Sequence, residues 1–370
     1  MRRFHCDVCE NEVFFDSVSC ERCSSKLGYV LGLDDVLVAG GNAAQDAGLR
    51  RCSNAELSRC TWLTAQPSGL CESCQLTRTR PSNADAKGLK LFPVAEESKR
   101  HLVRDLTRLG FATRPQEGGE PATVGQAPVF DLLSSVSENV TIGHANGVIT
   151  IDLAEGDDSY REQVRQRLEE PYRTMLGHFR HESGHYYEWQ LVELTSRIDE
   201  ARELFGEERA DYQAEIDRHY EEGPPENWRD DYLSSYATMH PYEDFAETWA
   251  HYLHIQDTLE TAVAFELLPA PEPGASARDV VINSWMPFAT AMNVVNRSLG
   301  QRDLYPFVLP DKVIEKLAFV HSLRGPPHVP ACSSRRPSLR IRAPRRAPRA
   351  VARLSRCARE PPERRTLRRR

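Results

Sequence analysis

Residues 180–188 read R-H-E-S-G-H-Y-Y-E and contain His181, Glu182 and His185 in the pattern H-E-x-x-H. Residues four apart on a helix share one face, a turn apart. Two imidazoles placed so can hold one Zn²⁺ at about 2.0–2.1 Å each. Glu182 neighbours the first imidazole and can take a proton from a water at the metal, whose pKa zinc brings to about 7. The chemistry on offer is hydrolysis by an activated water. A catalytic zinc usually takes a third protein ligand. The segment P-Y-E-D-F-A-E-T-W-A-H-Y-L-H-I starts at Pro241 and places Phe245, Ala246, Trp249, Tyr252 and Leu253 at helical spacing. Glu243 and Glu247 sit one turn apart on it. One can ligate zinc and the other can accept a hydrogen bond from a ligand imidazole; the residues alone leave the choice open. His251 and His254, on the same helix, rank below the two acids as ligands. His178, three residues before His181, is expected not to ligate.

The elements that hold these residues follow from periodicity and caps. A helix is expected over residues 171–193, with Pro171 in its first turn and Tyr172, Met175, Leu176, Phe179 and Tyr186 at helical spacing. Gly184 costs about 1 kcal/mol relative to Ala inside a helix, so its presence implies close approach by a sheet strand or by substrate. Further helices are expected at 98–109, capped by Ser98, and at 160–170, 207–220, 282–299 and 310–321. Residues 129–133, 139–144 and 147–153 read as strands. The last two form a hairpin about Asn146-Gly147, with His144 as a turn residue. Residues 75–97 read as a linker docking through Leu91 and Phe92, and 114–128 as a loop rich in Pro, Gly and Glu.

The cysteines point to further metal. Cys6-x2-Cys9 and Cys20-x2-Cys23 can close a tetrahedral four-cysteine zinc site, and Val13-Phe14-Phe15 between them suits the hairpin of a zinc ribbon. Cys52, Cys60, Cys71 and Cys74 are spaced less regularly and are expected to form a second structural site. Iron is also chemically compatible with a four-cysteine site. Small domains without a large core commonly need such a metal to fold. The start M-R-R-F-H-C-D-V-C lacks the apolar core of a signal peptide. A cytoplasmic location is therefore expected, where ten cysteines indicate metal rather than disulfides. No apolar run reaches the roughly 18 residues of a membrane span.

The formal charge of −7 conceals an asymmetry. Residues 324–370 hold 16 Arg and two acids, leaving 31 basic and 52 acidic side chains, a net of −21, in the first 323 residues. An acidic body argues against nucleic acid as the main partner. The Arg/Pro/Ala-rich tail lacks periodicity and reads as disordered. Its charge suits nucleic acid or anionic lipid; alternatively it has no selected role. Cys332 and Cys357 within it are not expected to ligate.

With the cysteine pairs, N-V-T-I-G-H-A-N-G-V-I-T-I-D-L-A-E, H-F-R-H-E-S-G-H-Y-Y, L-F-G-E-E, H-P-Y-E-D-F-A-E-T-W-A-H-Y-L-H-I and Y-P-F-V-L in hand, the chain resembles bacterial zinc-binding metallopeptidases that carry an N-terminal zinc ribbon. The likeness spans roughly residues 4–323 and places the chain with the gluzincins, whose third ligand is Glu. It implies His181 and His185 as ligands and Glu182 as general base. E-D-F-A-E resembles the E-x-x-A-E of gluzincin toxins, which implies Glu243 as ligand, Glu247 as support for a histidine, and Tyr236 as donor to the developing oxyanion. The implied fold is α+β: a zinc-ribbon domain with two four-cysteine clusters (1–92), a mainly helical zincin-like metallopeptidase domain with a small antiparallel β-sheet (93–323), and the tail (324–370). The implied cofactors are one catalytic and two structural Zn²⁺, and the implied partner is a peptide or protein substrate, with no membrane. The rival reading is a ribbon that binds protein or nucleic acid, joined to an inactive metallopeptidase-like domain. The intact Glu182 weighs against it, since an inactive site has no use for a base.

Overall fold

Short strands tied together by cysteine turns build the N-terminal part of the chain. In the computed structural model, which describes residues 1–113, 126–135, 140, 142–167 and 173–325, β1 (Phe4–His5) pairs with β2 (Glu12–Val13), β3 (Leu27–Val30) with β4 (Asp35–Val38), and β5 (Arg50–Arg51) with β6 (Leu63–Thr64). All three pairs are antiparallel. Val13 and Phe15 are buried while Phe14 is 59 % exposed, the period-two alternation of a strand. Phe15 packs edge-on against Tyr29 (4.6 Å), and Tyr29 against Trp62 (5.1 Å). Two short helices, α1 (Asn42–Asp46) and α2 (Glu72–Gln75), complete this region.

The segment expected to be a linker with a later helix is one helix, α3 (Ala86–Leu109). Asp85 caps it, accepting from Gly88 N at 2.8 Å, so Ser98 is an interior residue and not the cap. The misleading signal was Pro93. A proline inside a helix removes one hydrogen bond and bends it, but here Leu91, Phe92 and Ala95 are buried, and their packing outweighs that loss. The docking expected of Leu91 and Phe92 is present. The division drawn at residue 92 falls within α3.

Strand β7 (Thr77–Thr79) opens a four-stranded sheet of order β7-β8-β10-β9, with β8 (Val129–Leu133), β9 (Gly143–Ala145) and β10 (Val148–Asp152). The antiparallel β9–β10 hairpin turns at Asn146 (φ 51°) and Gly147 (φ 83°), the positive φ pair that an Asn-Gly turn supplies. The β7–β8 and β8–β10 pairs are parallel. Phe130, Leu132, Ile149 and Ile151 are buried, and Phe130 meets Phe179 at 5.6 Å. Of the loop expected at 114–128, residues 114–125 lie outside the described residues, as do residues 139 and 141 of the expected strand.

Helix α4 (Asp158–Arg167) precedes α5 (Met175–Glu188), which carries the H-E-x-x-H pattern. Pro171 and Tyr172 lie outside the described residues; the cap is Thr174, accepting from Gly177 N at 2.9 Å. A π turn at Trp189–Glu193 ends the expected span. An unanticipated helix, α6 (Ile198–Phe205), stops at Gly206 (φ 106°). The helix expected from residue 207 is α7 (Tyr212–Glu222): Asp211 caps it, and the Arg202–Glu208 ion pair (2.5 Å) holds the preceding connection. Then come α8 (Pro241–Ala264), α9 (Ala277–Val280), a π turn at Val281–Trp285, α10 (Met286–Ser298) and α11 (Asp311–Ser322). The last two match the late helices expected from periodicity. The tail from residue 326 lies outside the described residues, Cys332 and Cys357 with it.

Helices α5 and α8 cross at Gly184. A Cβ there would lie 2.8 Å from Ala246 Cα, so the close neighbour is a helix backbone rather than the strand or substrate expected. Around the crossing, Trp249 Nε1 donates to Ser183 Oγ (3.0 Å) and the Trp249 ring stacks on Tyr187 (4.8 Å). Arg104 of α3, 1 % exposed, joins Asp34 of the ribbon (3.1 Å) to Glu260 of α8 (2.7 Å). The described residues, 1–325, accordingly form one compact unit.

Candidate active site

Each cysteine knuckle is built by the backbone. Cys6 N donates to Asn11 O and Cys20 N to Ser25 O, each at 2.9 Å, and Glu10 and Ser24 take the positive φ the turns require (62° and 61°). The turns bring Cys6, Cys9, Cys20 and Cys23 together, with Cys6–Cys23 and Cys9–Cys20 sulfurs 3.7 and 3.5 Å apart. Those separations are far too long for a disulfide. They suit the edges of a sulfur tetrahedron around zinc, about 3.8 Å for a Zn–S bond of 2.3 Å. Cys52, Cys60, Cys71 and Cys74 form a second such group, all four buried, with Cys60 and Cys71 sulfurs at 3.6 Å. Cys71 N also donates to Cys52 Sγ at 3.3 Å, a bond that favours a thiolate. The irregular sequence spacing is absorbed by the β5–β6 pair: β5 ends just before Cys52, and β6 lies between Cys60 and Cys71. Both donor sets fit zinc.

The α5–α8 crossing assembles the third group, His181, His185 and Glu243. His181 Nε2 lies 3.1 Å from Glu243 Oε2, and His185 Nε2 lies 3.7 Å from Glu243 Oε1. Two nitrogens and a carboxylate around zinc stand about 3.3 Å apart on a tetrahedron, so these residues fit as well. His181 Nδ1 meets Glu247 Oε1 at 3.0 Å, and Ser234 Oγ donates to Glu247 Oε2 at 2.8 Å. This is the arrangement in which an outer carboxylate fixes the tautomer and ring orientation of a ligand histidine. Burial lowers His185 to about 4, which keeps its imidazole neutral with a lone pair to give. Burial also opposes charge on His181, but its hydrogen bonds to Glu243 and Glu247 raise it well above its ordinary value. The pocket thus draws a cation to this point. Glu182 is 7 % exposed, and its Oε2 has no hydrogen-bond partner among the described residues. Burial pushes its carboxyl up to about 7; the His181 charge opposes the rise and Glu243 adds to it.

These groups open onto a cleft of about 1030 Å³ lined by α5, α8, Gly143 of β9, and residues 232–236 and 305–308. Tyr236 starts a 3₁₀ turn, its carbonyl accepting from Met239 N (3.0 Å), its ring 5.8 Å from that of His181, and its hydroxyl makes no hydrogen bond among the described residues. His178 faces Glu155 at 3.4 Å, away from the three converging donors. His144 lies in β9, next to the turn, where Nε2 accepts from Gly147 N (3.1 Å). His251 and His254 line the cleft without joining the donor group: His251 Nδ1 meets Tyr305 Oη (2.8 Å) and His254 Nδ1 meets Arg180 (3.3 Å).

Residues 88–323 match the family described as "Putative zinc-binding metallo-peptidase", and residues 3–85 match a zinc-ribbon domain. The chain belongs to this metallo-peptidase family. Among its relatives are uncharacterized proteins of Mycobacterium bovis and Mycobacterium tuberculosis, each 48 % identical over 332 residues, covering 87 % of this chain and 95 % of the relative. No solved structure matches the chain. No helix among the described residues is long and apolar enough to cross a membrane.

The sequence of this metallo-peptidase family member did not reveal two supports of its site. Tyr212 Oη donates to Glu243 Oε1 at 2.6 Å, from the first residue of α7. Arg180, buried, reaches Asp105 of α3 (2.8 Å) and Asp257 of α8 (3.1 Å), and so ties the start of the H-E-x-x-H stretch to both neighbouring helices. Adjacency of Arg180 to His181 was the one available hint. The two four-cysteine sets and the His181, His185 and Glu243 set predict three metal ions per chain. Elemental analysis of the folded protein is expected to return three zinc; a single zinc in folded protein would refute the two four-cysteine sites.

Proposed function

We propose that the protein is a zinc-dependent peptidase of the gluzincin type, hydrolysing peptide bonds in the α5–α8 cleft. His181, His185 and Glu243 hold the zinc, which when bound supplies a Lewis acid for the carbonyl and the water. Glu182 takes a proton from the attacking water and delivers it to the departing amine nitrogen. Burial raises the Glu182 carboxyl, which favours its taking up the proton and handing it on. The Tyr236 hydroxyl donates to the oxyanion that develops on the carbonyl oxygen. Glu247 fixes the orientation of His181, and Tyr212 that of Glu243. The cysteine clusters fold the ribbon and take no part in the reaction.

The observation that carries this reading is the buried Glu182 carboxylate, whose Oε2 has no hydrogen-bond partner among the described residues, beside three converging zinc donors. An inactive remnant gains nothing from it, because a buried polar atom without a partner costs about 1–3 kcal/mol. The test is digestion of a peptide library by the zinc-loaded protein, read by mass spectrometry. Cleavage that stops with a chelator and returns with added zinc is expected. Absence of any cleavage by protein with its full zinc content would return the domain to the binding-module reading.

A further inference from the structure

The segment Tyr305-Pro306-Phe307-Val308 lines the cleft yet has no part in the chemistry above. It is held rather than loose. Asn293 of α10 donates through Nδ2 to Tyr305 O (2.7 Å) and accepts at Oδ1 from Tyr305 N (2.9 Å). The Tyr305 ring is buried against Trp285 (4.8 Å) and stacks on His254 (5.7 Å). Phe307 meets the buried His251 ring edge-on at 4.4 Å and Tyr305 at 5.1 Å. Several polar atoms at this end are engaged: His251 Nδ1 on Tyr305 Oη, and both Asn293 amide atoms on the Tyr305 backbone. Ala250 and Pro306 add apolar surface, and Val308 stands 73 % exposed at the rim.

We propose that residues 305–308, with Ala250 and His251 behind them, form a side-chain pocket that selects a bulky apolar residue of the bound peptide. The inference rests on the peptidase reading for the bound molecule being a peptide. Glu243, Glu247 and His251 lie at successive turns of α8, so Ala250 and His251 stand about 10–12 Å along the helix from the donor Glu243. An extended peptide covers that distance in about three to four residues. Aromatic and aliphatic side chains gain by leaving water there. A Lys or Glu side chain finds no opposite charge among these residues and loses its hydration, because the nearby Glu247 is engaged by His181 and Ser234, and Arg180 by Asp105 and Asp257.

The test measures binding apart from hydrolysis. Full-length zinc-loaded protein carrying Glu182→Gln is titrated with fluorescent Gly/Ser peptides that contain a single Phe, Leu, Ala, Lys or Glu. The Phe and Leu peptides are expected to bind about tenfold or more tighter than the other three. Adding Phe307→Ala should reduce that preference to within about threefold. Val308→Asp, at an exposed position that tolerates a charge in the fold, should do the same and guards against a folding defect in the first variant. Equal binding of all five peptides, no measurable binding of any, or a preference that survives both substitutions would each overturn the pocket. Cleavage by the protein without Glu182→Gln is assayed alongside. Preference without cleavage counts against the peptidase reading alone; cleavage without preference counts against the pocket alone.

Discussion

Glu182→Gln is expected to lower kcat by about 10²–10⁴-fold, the range that general acid–base groups contribute, with the zinc content unchanged. The amide has nearly the same shape, so α5 and the two histidines keep their places. It cannot accept the proton of the water or return it to the amine. Stability should change little, because Glu182 Oε2 already lacks a partner among the described residues. A new amide donor at that spot costs at most about 1–3 kcal/mol. The measurement is kcat on peptides found in the library digest, paired with zinc per chain. Hydrolysis retained within tenfold of the unmodified protein would remove Glu182 from the base role. Loss of zinc together with activity would show that the carboxylate supports the metal instead.

Glu243→Ala should abolish activity and take the zinc content from three to two. The substitution removes a ligand and also leaves the Tyr212 hydroxyl without its acceptor. Glu247→Ala should cost about 10–100-fold in zinc affinity, as the loss of an outer hydrogen-bond partner does. His181 would keep its place on α5 but lose the contact that orients its Nδ1 side. Competition with a chromophoric chelator separates the two variants. If Glu247→Ala loses the metal and Glu243→Ala merely weakens it, the ligand is Glu247.

What the sequence determined by itself was local. A pattern with ligands four residues apart needs only a helix to bring His181 and His185 onto one face, and both lie on α5. The C-x-x-C turns are equally local, closed by backbone bonds within six residues, from Cys6 N to Asn11 O. Pro241 and Asn146-Gly147 announced the start of α8 and the β9–β10 turn because each residue type has a narrow φ preference. Tertiary structure decided the rest, since it depends on which surfaces meet. Gly184 signalled a close neighbour, but a missing side chain cannot say whether a strand, a substrate or Ala246 fills the space. The rotation of α8 against α5, which no local pattern encodes, points Glu243 between the imidazoles and Glu247 at the far side of His181. Tyr212 could not be read at all: it reaches Glu243 across 31 residues, and its position depends on Gly206 ending α6 and Asp211 starting α7. Pro93 hid the first half of α3, because the burial of Leu91, Phe92 and Ala95 that outweighs its helix-breaking tendency exists only once the ribbon and the helical domain have packed together.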